Sequence, residues 1–203
     1  ILPDQSMVSA ILGGIYVFYN WIDDGIRYKV LSIRYLAWFI LALAFTAMAF
    51  LLKPYALFFT LPMVYLAWRR FGFSSFRVWP LWIFLILSIL PLASWHEWMS
   101  QKEFIQGVPR NNWLFNGNNI RFKGAFFHWI FADRIARLIL GYWGLSFVVL
   151  GILKKINKKE GWFFFCFIAS SLTFMTVLAT GNIQHDYYQI LIMPTLAIFF
   201  AKG

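Results

Sequence analysis

The chain has 203 residues, of which 61% are hydrophobic, 22% aromatic and 13% charged. Soluble domains carry about 25% charged and about 45–50% apolar residues, so this composition excludes an ordinary soluble enzyme and a disordered or nucleic-acid-binding chain. The net charge of +10 does not point to nucleic acid, because the 18 Lys and Arg residues punctuate apolar runs, as membrane orientation requires.

The chain opens on Ile1-Leu-Pro-Asp4, and no signal peptide is expected in it. It closes on Ala-Lys-Gly directly after an apolar run, and the expectation is a piece of a longer protein whose N-terminal part precedes Ile1. Asp4, after Pro3, is read as a helix N-cap. Seven apolar runs follow in order: Met7–Ile22, Tyr35–Leu52, Tyr55–Trp68, Val78–Ser94, Leu138–Leu153, Trp162–Thr180 and Ile190–Ala201. A helix needs ~20 apolar residues to span the hydrocarbon, with a range of ~17–25. The expected fold is all-α: a polytopic bundle of about seven membrane segments, one transmembrane domain over 1–203.

Residues 35–68 hold one charge, Lys53. As a single helix they would be roughly 50 Å long, too long for one crossing. Proline disfavours helical geometry in the residue before it, so Lys53-Pro54 is read as a break between two antiparallel helices. With that turn, Arg27, Lys29 and Arg34, then Arg69, Arg70 and Arg77, then Lys154, Lys155, Lys158 and Lys159, then Lys202 fall on one side. That side is the cytoplasmic one by the positive-inside rule. The 95–137 loop, the 181–189 turn and Lys53 fall on the outer face.

The outer loop also carries Lys102, Arg110, Arg121, Lys123, Arg134 and Arg137, partly offset by Glu97, Glu103 and Asp133. Its Asn- and Gly-rich stretch 111–119 reads as turns, and Phe126–Ile139 as an interfacial amphipathic helix. Its aromatic residues serve either as a belt at headgroup level or as a rim that stacks on sugar or isoprenoid. The scattered glycines 13, 14, 141, 144 and 151 are read as helix-packing positions. Cys166 is the only cysteine and lies in an apolar run, so neither a disulfide framework nor a Cys-based metal site is expected. The three histidines, His96, His128 and His185, are too dispersed to declare a metal site.

Two places concentrate chemistry. Lys53 either snorkels to headgroups or holds a phosphate, since an ionisable group at membrane level is a functional-site hypothesis. Its replacement by Ala is expected to leave folding intact. His185, Asp186, Tyr187 and Tyr188 form either an ordinary polar turn or a set that bonds sugar hydroxyls and phosphate oxygens.

Leu52-Lys53-Pro54-Tyr55 followed by a short apolar run to Arg69-Arg70 resembles the Lys-Gly/Pro helix break of bacterial GT-C glycosyltransferases. Pro3-Asp4 with Trp21, Leu90-Pro91 with Trp95, and Gln184-His-Asp-Tyr-Tyr-Gln189 with Pro194 resemble further segments of the same group in the same order. That group is the dolichyl-phosphate-mannose protein mannosyltransferase-like family, which includes the lipid A aminoarabinose transferases. The resemblance implies a multi-pass protein of the bacterial cytoplasmic membrane with an extracytoplasmic site. It implies inverting transfer of a sugar from a polyprenyl-phosphate donor to a lipid, glycan or protein acceptor. Metal dependence varies within the wider GT-C class, and no metal or other cofactor is expected here. The family's catalytic acid would lie upstream of Ile1. Lys53 is then the phosphate candidate, with His185, Tyr187 and Tyr188 lining the same cavity and Arg121 and Lys123 as further phosphate or acceptor contacts. The rival readings are a transporter or flippase of lipid-linked sugars and a non-catalytic membrane subunit.

Overall fold

The computed structural model describes residues 3–27, 32–101, 113–155, 157 and 160–203. Among these every regular element is helical. The expectations placed on Lys29, Lys102, Glu103, Arg110, Asn111, Asn112, Lys158 and Lys159, and on the side chain of Arg27, lie outside the described residues. The chain divides into two compact units, Ile1–Val108 and Pro109–Gly203.

In the first unit, α1 (Pro3–Arg27) starts on a proline, whose fixed φ and missing N–H suit a first helical turn. Asp4, Met7, Ile11, Gly14, Phe18 and Trp21 are buried at alternating steps of three and four, which places them on one helix face. That face meets α2 (Ile33–Leu52), whose buried residues are Ala42, Thr46, Ala49 and Phe50. The small alanines let the two backbones approach. The Trp21 ring lies 5.1 Å from Phe39 and 5.4 Å from Phe84, and Phe18 lies 5.1 Å from Phe84. These contacts join α1, α2 and α4 (Trp79–Ser100) in an aromatic core, each pair worth about 0.5–1.5 kcal/mol beyond its buried area.

The break at Lys53 is where the sequence places it. Lys53 is extended (φ −155°, ψ 129°), and its N–H still bonds Ala49 O. Pro54 then opens a 3₁₀ turn, Pro54–Thr60, that runs into α3 (Leu61–Phe71). Gly72 ends α3 with φ +55°, and a second 3₁₀ turn, Gly72–Arg77, leads to α4. The latter continues past its expected end at Ser94 to Ser100.

The second unit contains α5 (Trp113–Asn116), a 3₁₀ turn Gly117–Phe122, α6 (Gly124–Phe127) and a wide π-type helix His128–Ile139. After these come α7 (Trp143–Leu153), α8 (Phe163–Val177), α9 (Ala179–Gln184), a 3₁₀ turn Asp186–Ile192 and α10 (Met193–Lys202). The expected outer loop is therefore helical through most of 113–137. Asn118 and Asn119 take left-handed φ values of 53° and 54°, the turn chemistry expected of them. The amphipathic helix is present, with Phe126, Ile130, Ile135 and Ala136 buried and Phe127, Trp129 and Phe131 exposed.

The run Leu138–Leu153 is not one straight span. Gly141 (φ 55°) and Tyr142 (φ 61°) are both left-handed, and the helical stretches on either side are bent by 110°. The Tyr142 N–H bonds Ala136 O at 2.6 Å and helps hold the bend. Gly144, Val148 and Gly151 are the buried stripe of α7, which packs on α10. A Cβ at Gly151 would overlap the Phe199 carbonyl, so only glycine permits this approach. Ser171 and Thr195 join α8 to α10 through hydroxyls 2.7 Å apart, and Thr195 Oγ1 also donates to Phe167 O at 3.1 Å.

Two described helices, α2 and α4, are long and apolar enough to cross a membrane, and a third span results if the bent pair counts as one. Seven were expected. Helix α1 is long enough, but Asp4, Gln5, Ser6, Ser9, Asn20 and Asp23 make it too polar. The remaining runs fold as helices of 11 residues (α3 and α7), 15 (α8) and 10 (α10), below the ~17–25 that a straight crossing takes.

Candidate functional site

The two places that concentrate chemistry in the sequence lie in different units. In the first, α2 ends at Lys53 and α1 begins beside it. Lys53 Nζ sits 2.7 Å from Asp4 Oδ1, with Asp4 fully buried and the lysine side chain 17% exposed. Asp4 is therefore not an N-cap. The helix already starts at Pro3, and the carboxylate stands in its first turn, where the helix dipole also favours negative charge.

Nor is Lys53 an isolated cation. It offers three N–H donors, and Asp4 Oδ1 takes one. Asp4 Oδ2 is buried with no hydrogen-bond partner among the described residues. The pair reverses the expectation that Lys53→Ala folds normally. Removing one partner of a buried ion pair leaves an uncompensated charge and costs about 3–5 kcal/mol.

In the second unit the expected polar turn 181–189 is mostly helical. His185 alone is extended (φ −124°, ψ 111°), between α9 and the Asp186–Ile192 turn. Its ring stacks on Tyr187 at 5.2 Å and lies 5.4 Å from Tyr188, and the two tyrosine rings are 5.1 Å apart. The structure thus gathers three of the expected site residues into one aromatic cluster. Tyr188 is buried against the α9 backbone, where a Cβ at Gly181 would come within 2.6 Å of its ring. Beneath it Gln189 Nε2 donates to Asn182 O at 2.9 Å, and Asn182 Nδ2 to Leu178 O at 3.0 Å.

The Asp186 side chain is 68% exposed. Its carboxylate meets Arg134 Nη2 at 2.7 Å, and the same nitrogen donates to Ile183 O at 3.1 Å. Arg134 also contacts Asp133 at 3.3 Å and lies 5.5 Å from the Trp129 ring. Arg137 Nε donates to Asp133 Oδ1 at 2.7 Å. Sequence reading missed the role of Arg134, treating it as one of several outer cations. The available signal was Asp133 four residues before Arg137 on an amphipathic helix, which makes an i,i+4 pair and marks that face as a charged network.

Arg121 is engaged differently from the expectation. Its Nη2 donates to Phe115 O at 3.2 Å and Val177 O at 3.1 Å. It therefore satisfies a carbonyl at the C-terminal end of α8, where helices leave acceptors unpaired, and this use competes with phosphate binding. Lys123 is exposed just before α6. Thr180 Oγ1 accepts from the Gly117 N–H at 2.7 Å, a second tie across the same region.

Among the described residues no three His, Cys, Asp or Glu side chains group as metal ligands. The arrangement offers an ammonium set against a carboxylate at a helix break in one unit. In the other it offers half-exposed His185 and Tyr187 rings bordered by an Arg–Asp network. Comparison with protein-family models, curated proteins and solved structures finds no match for the chain.

Proposed function

We propose that the chain is part of a membrane glycosyltransferase that moves a sugar from a polyprenyl-phosphate donor to a lipid, glycan or protein acceptor on the extracytoplasmic face. The observation that carries this reading is the 2.7 Å Asp4–Lys53 pair. It unites the Pro-Asp and Lys-Pro segments on which the GT-C resemblance rests, at the broken end of an apolar helix. In this reading the short apolar helices α3, α7, α8 and α10 complete a multi-pass bundle in a bacterial cytoplasmic membrane.

The reaction is a direct displacement. The acceptor oxygen bonds the anomeric carbon as the bond to the donor phosphate oxygen breaks. The acceptor proton passes to a carboxylate base, and polyprenyl phosphate leaves with the electron pair. Lys53 stabilises the charge developing on that phosphate, with Asp4 positioning the ammonium. Within the second unit, the part-exposed His185 and Tyr187 rings and the exposed Asp186 carboxylate present groups of the kind that bond sugar hydroxyls, with buried Tyr188 packing beneath them. Lys123 remains an acceptor contact, and Arg121 becomes one only by giving up a carbonyl.

The test is sugar transfer by the full-length protein in proteoliposomes containing a labelled polyprenyl-phosphate sugar. Because Lys53→Ala alone perturbs the fold, the diagnostic variant is Asp4→Asn with Lys53→Gln, matched to the parent in expression and folding. It should lose about 10²–10³-fold in rate, while Lys53→Arg retains part. Parental turnover in the double variant overturns the role of Lys53. Movement of the donor across the bilayer with no glycosidic bond formed favours the transporter reading instead, and neither movement nor transfer favours the non-catalytic subunit.

A further inference from the structure

An apolar feature unused by this reading lies wholly within the first unit. The 3₁₀ turn after Lys53, helix α3 and the first half of α4 enclose a half-open hollow of about 250 Å³. Leu57, Met63, Val64, Trp68, Phe84 and Leu85 supply much of its wall. It extends along α4 from Leu81 to Ser88, roughly 10 Å of helix. Ser88 Oγ bonds Phe84 O at 2.8 Å, so that hydroxyl is turned onto its own helix, and the wall is mostly apolar, with Thr46, Thr60 and Ser75 as its other hydroxyl-bearing residues.

The hollow adjoins a second one, of about 440 Å³, with which it shares Phe76 and Trp82. The second differs in chemistry, because Arg77 stands in its wall beside Trp79. Trp82 Nε1 bonds Phe76 O at 3.0 Å, which fixes the shared rim. One continuous surface thus presents an apolar slot at one end and an exposed guanidinium flanked by two exposed tryptophans at the other. Arg69 and Arg70 close α3 nearby in the chain.

This polarity selects an amphiphile with a negative head. Apolar cavities on the order of 150 Å³ already stay dry and accept hydrocarbon, so a slot of this size holds part of an acyl chain. Lipid tails are as apolar as the wall, so the tail gains little by leaving the bilayer and residence depends on the head. Arginine binds phosphate through paired N–H groups. We propose that the slot seats one chain of an anionic phospholipid of the basic-loop leaflet, with its phosphate on Arg77. This site is separate from the Lys53 break and does not depend on the sugar-transfer reading.

The experiment uses the purified full-length protein, exchanged into equimolar phosphatidylglycerol and phosphatidylcholine of matched chains, with retained lipid counted by native mass spectrometry. The parent should keep one phosphatidylglycerol in preference. Arg77→Gln, on an exposed side chain, should lower that preference about fivefold, the equivalent of about 1 kcal/mol. Val64→Trp, at a position 60% exposed on the rim, should displace both lipids, and Ala67→Leu fills the same slot if the tryptophan variant does not fold. Equal retention of the two lipids by the parent, an unchanged preference in Arg77→Gln, or retention unaffected by slot filling overturns the proposal. So does a dimer that forms with lipid excluded, since a second copy then occupies the slot.

Discussion

The two units bury polar groups in opposite ways. In the first, among the described residues, buried Asp4 meets a lysine 49 residues away, Lys53, and the rest of the core is mostly apolar and aromatic side chains, with the small hydroxyls of Thr46 and Ser88 among them. In the second, cations reach backbone. Arg121 donates to Phe115 O and Val177 O, and Arg134 to Ile183 O, beside a buried amide pair at Asn182 and Gln189. The difference follows from helix length. Long helices such as α1 and α2 satisfy their own backbone, whereas the short helices of the second unit end often and leave carbonyls that need donors. A unit built of short helices must spend its arginines on structure, which leaves fewer cations for a ligand.

The sharpest way to break this contrast is to remove the ion pair of the first unit. Lys53→Ala should destabilise by about 3–5 kcal/mol, read as a lowered thermal midpoint in detergent. Asp4→Leu with Lys53→Met should recover most of the loss, because replacing both charges by apolar groups is often neutral or stabilising. A Lys53→Ala protein that melts like the parent means the pair holds nothing together.

The corresponding change in the second unit is Arg134→Gln. It deletes the donor to Ile183 O along with the contacts to Asp133 and Asp186, and hydrogen bonds from charged groups are worth about 1.5–3 kcal/mol. Hydrogen exchange should rise at 183–186 before it rises in α8. Unchanged protection at 183–186 means that the clamp is not what orders the His185 turn.

What the sequence revealed of this architecture is what local pattern encodes. The break at Lys53 was legible because Pro54 acts on its immediate neighbour. The helical stretch ending at Ile139 was legible because apolar and polar residues alternate along it in an amphipathic pattern. The Asp4–Lys53 partnership was not, because its members are 49 residues apart and each had a sufficient local explanation, a cap for one and a snorkelling lysine for the other. The bend at Gly141–Tyr142 escaped because a left-handed tyrosine carries no sequence signature, and hydropathy runs through it unbroken. Arg121 looked like a ligand for phosphate because composition cannot distinguish a cation facing solvent from one holding carbonyls.

Packing offers an independent comparison, since α7 and α10 approach more closely than side chains allow. Gly151→Val should cost about 1–3 kcal/mol through overpacking, because the obstacle is the Phe199 backbone and cannot rotate away. Circular dichroism should show retained helix with a lowered melting point. A parental melting point would mean that α7 and α10 are apart in the bilayer.

The smallest effect separates the two partners of a single ion pair. Asp186 meets Arg134 at 2.7 Å, yet it is 68% exposed whereas the arginine side chain is 12% exposed. Exposed ion pairs contribute about 0–1 kcal/mol, since water solvates the carboxylate nearly as well as the guanidinium does. Asp186→Asn should therefore change stability by less than about 1 kcal/mol, while Arg134→Gln, which also abandons a carbonyl, costs more. If Asp186 bonds a sugar in the proposed transfer reaction, Asp186→Asn should instead raise the KM for the donor at unchanged melting temperature. Equal destabilisation by the two substitutions would make the carboxylate, rather than the Ile183 carbonyl, the group that holds Arg134 in place.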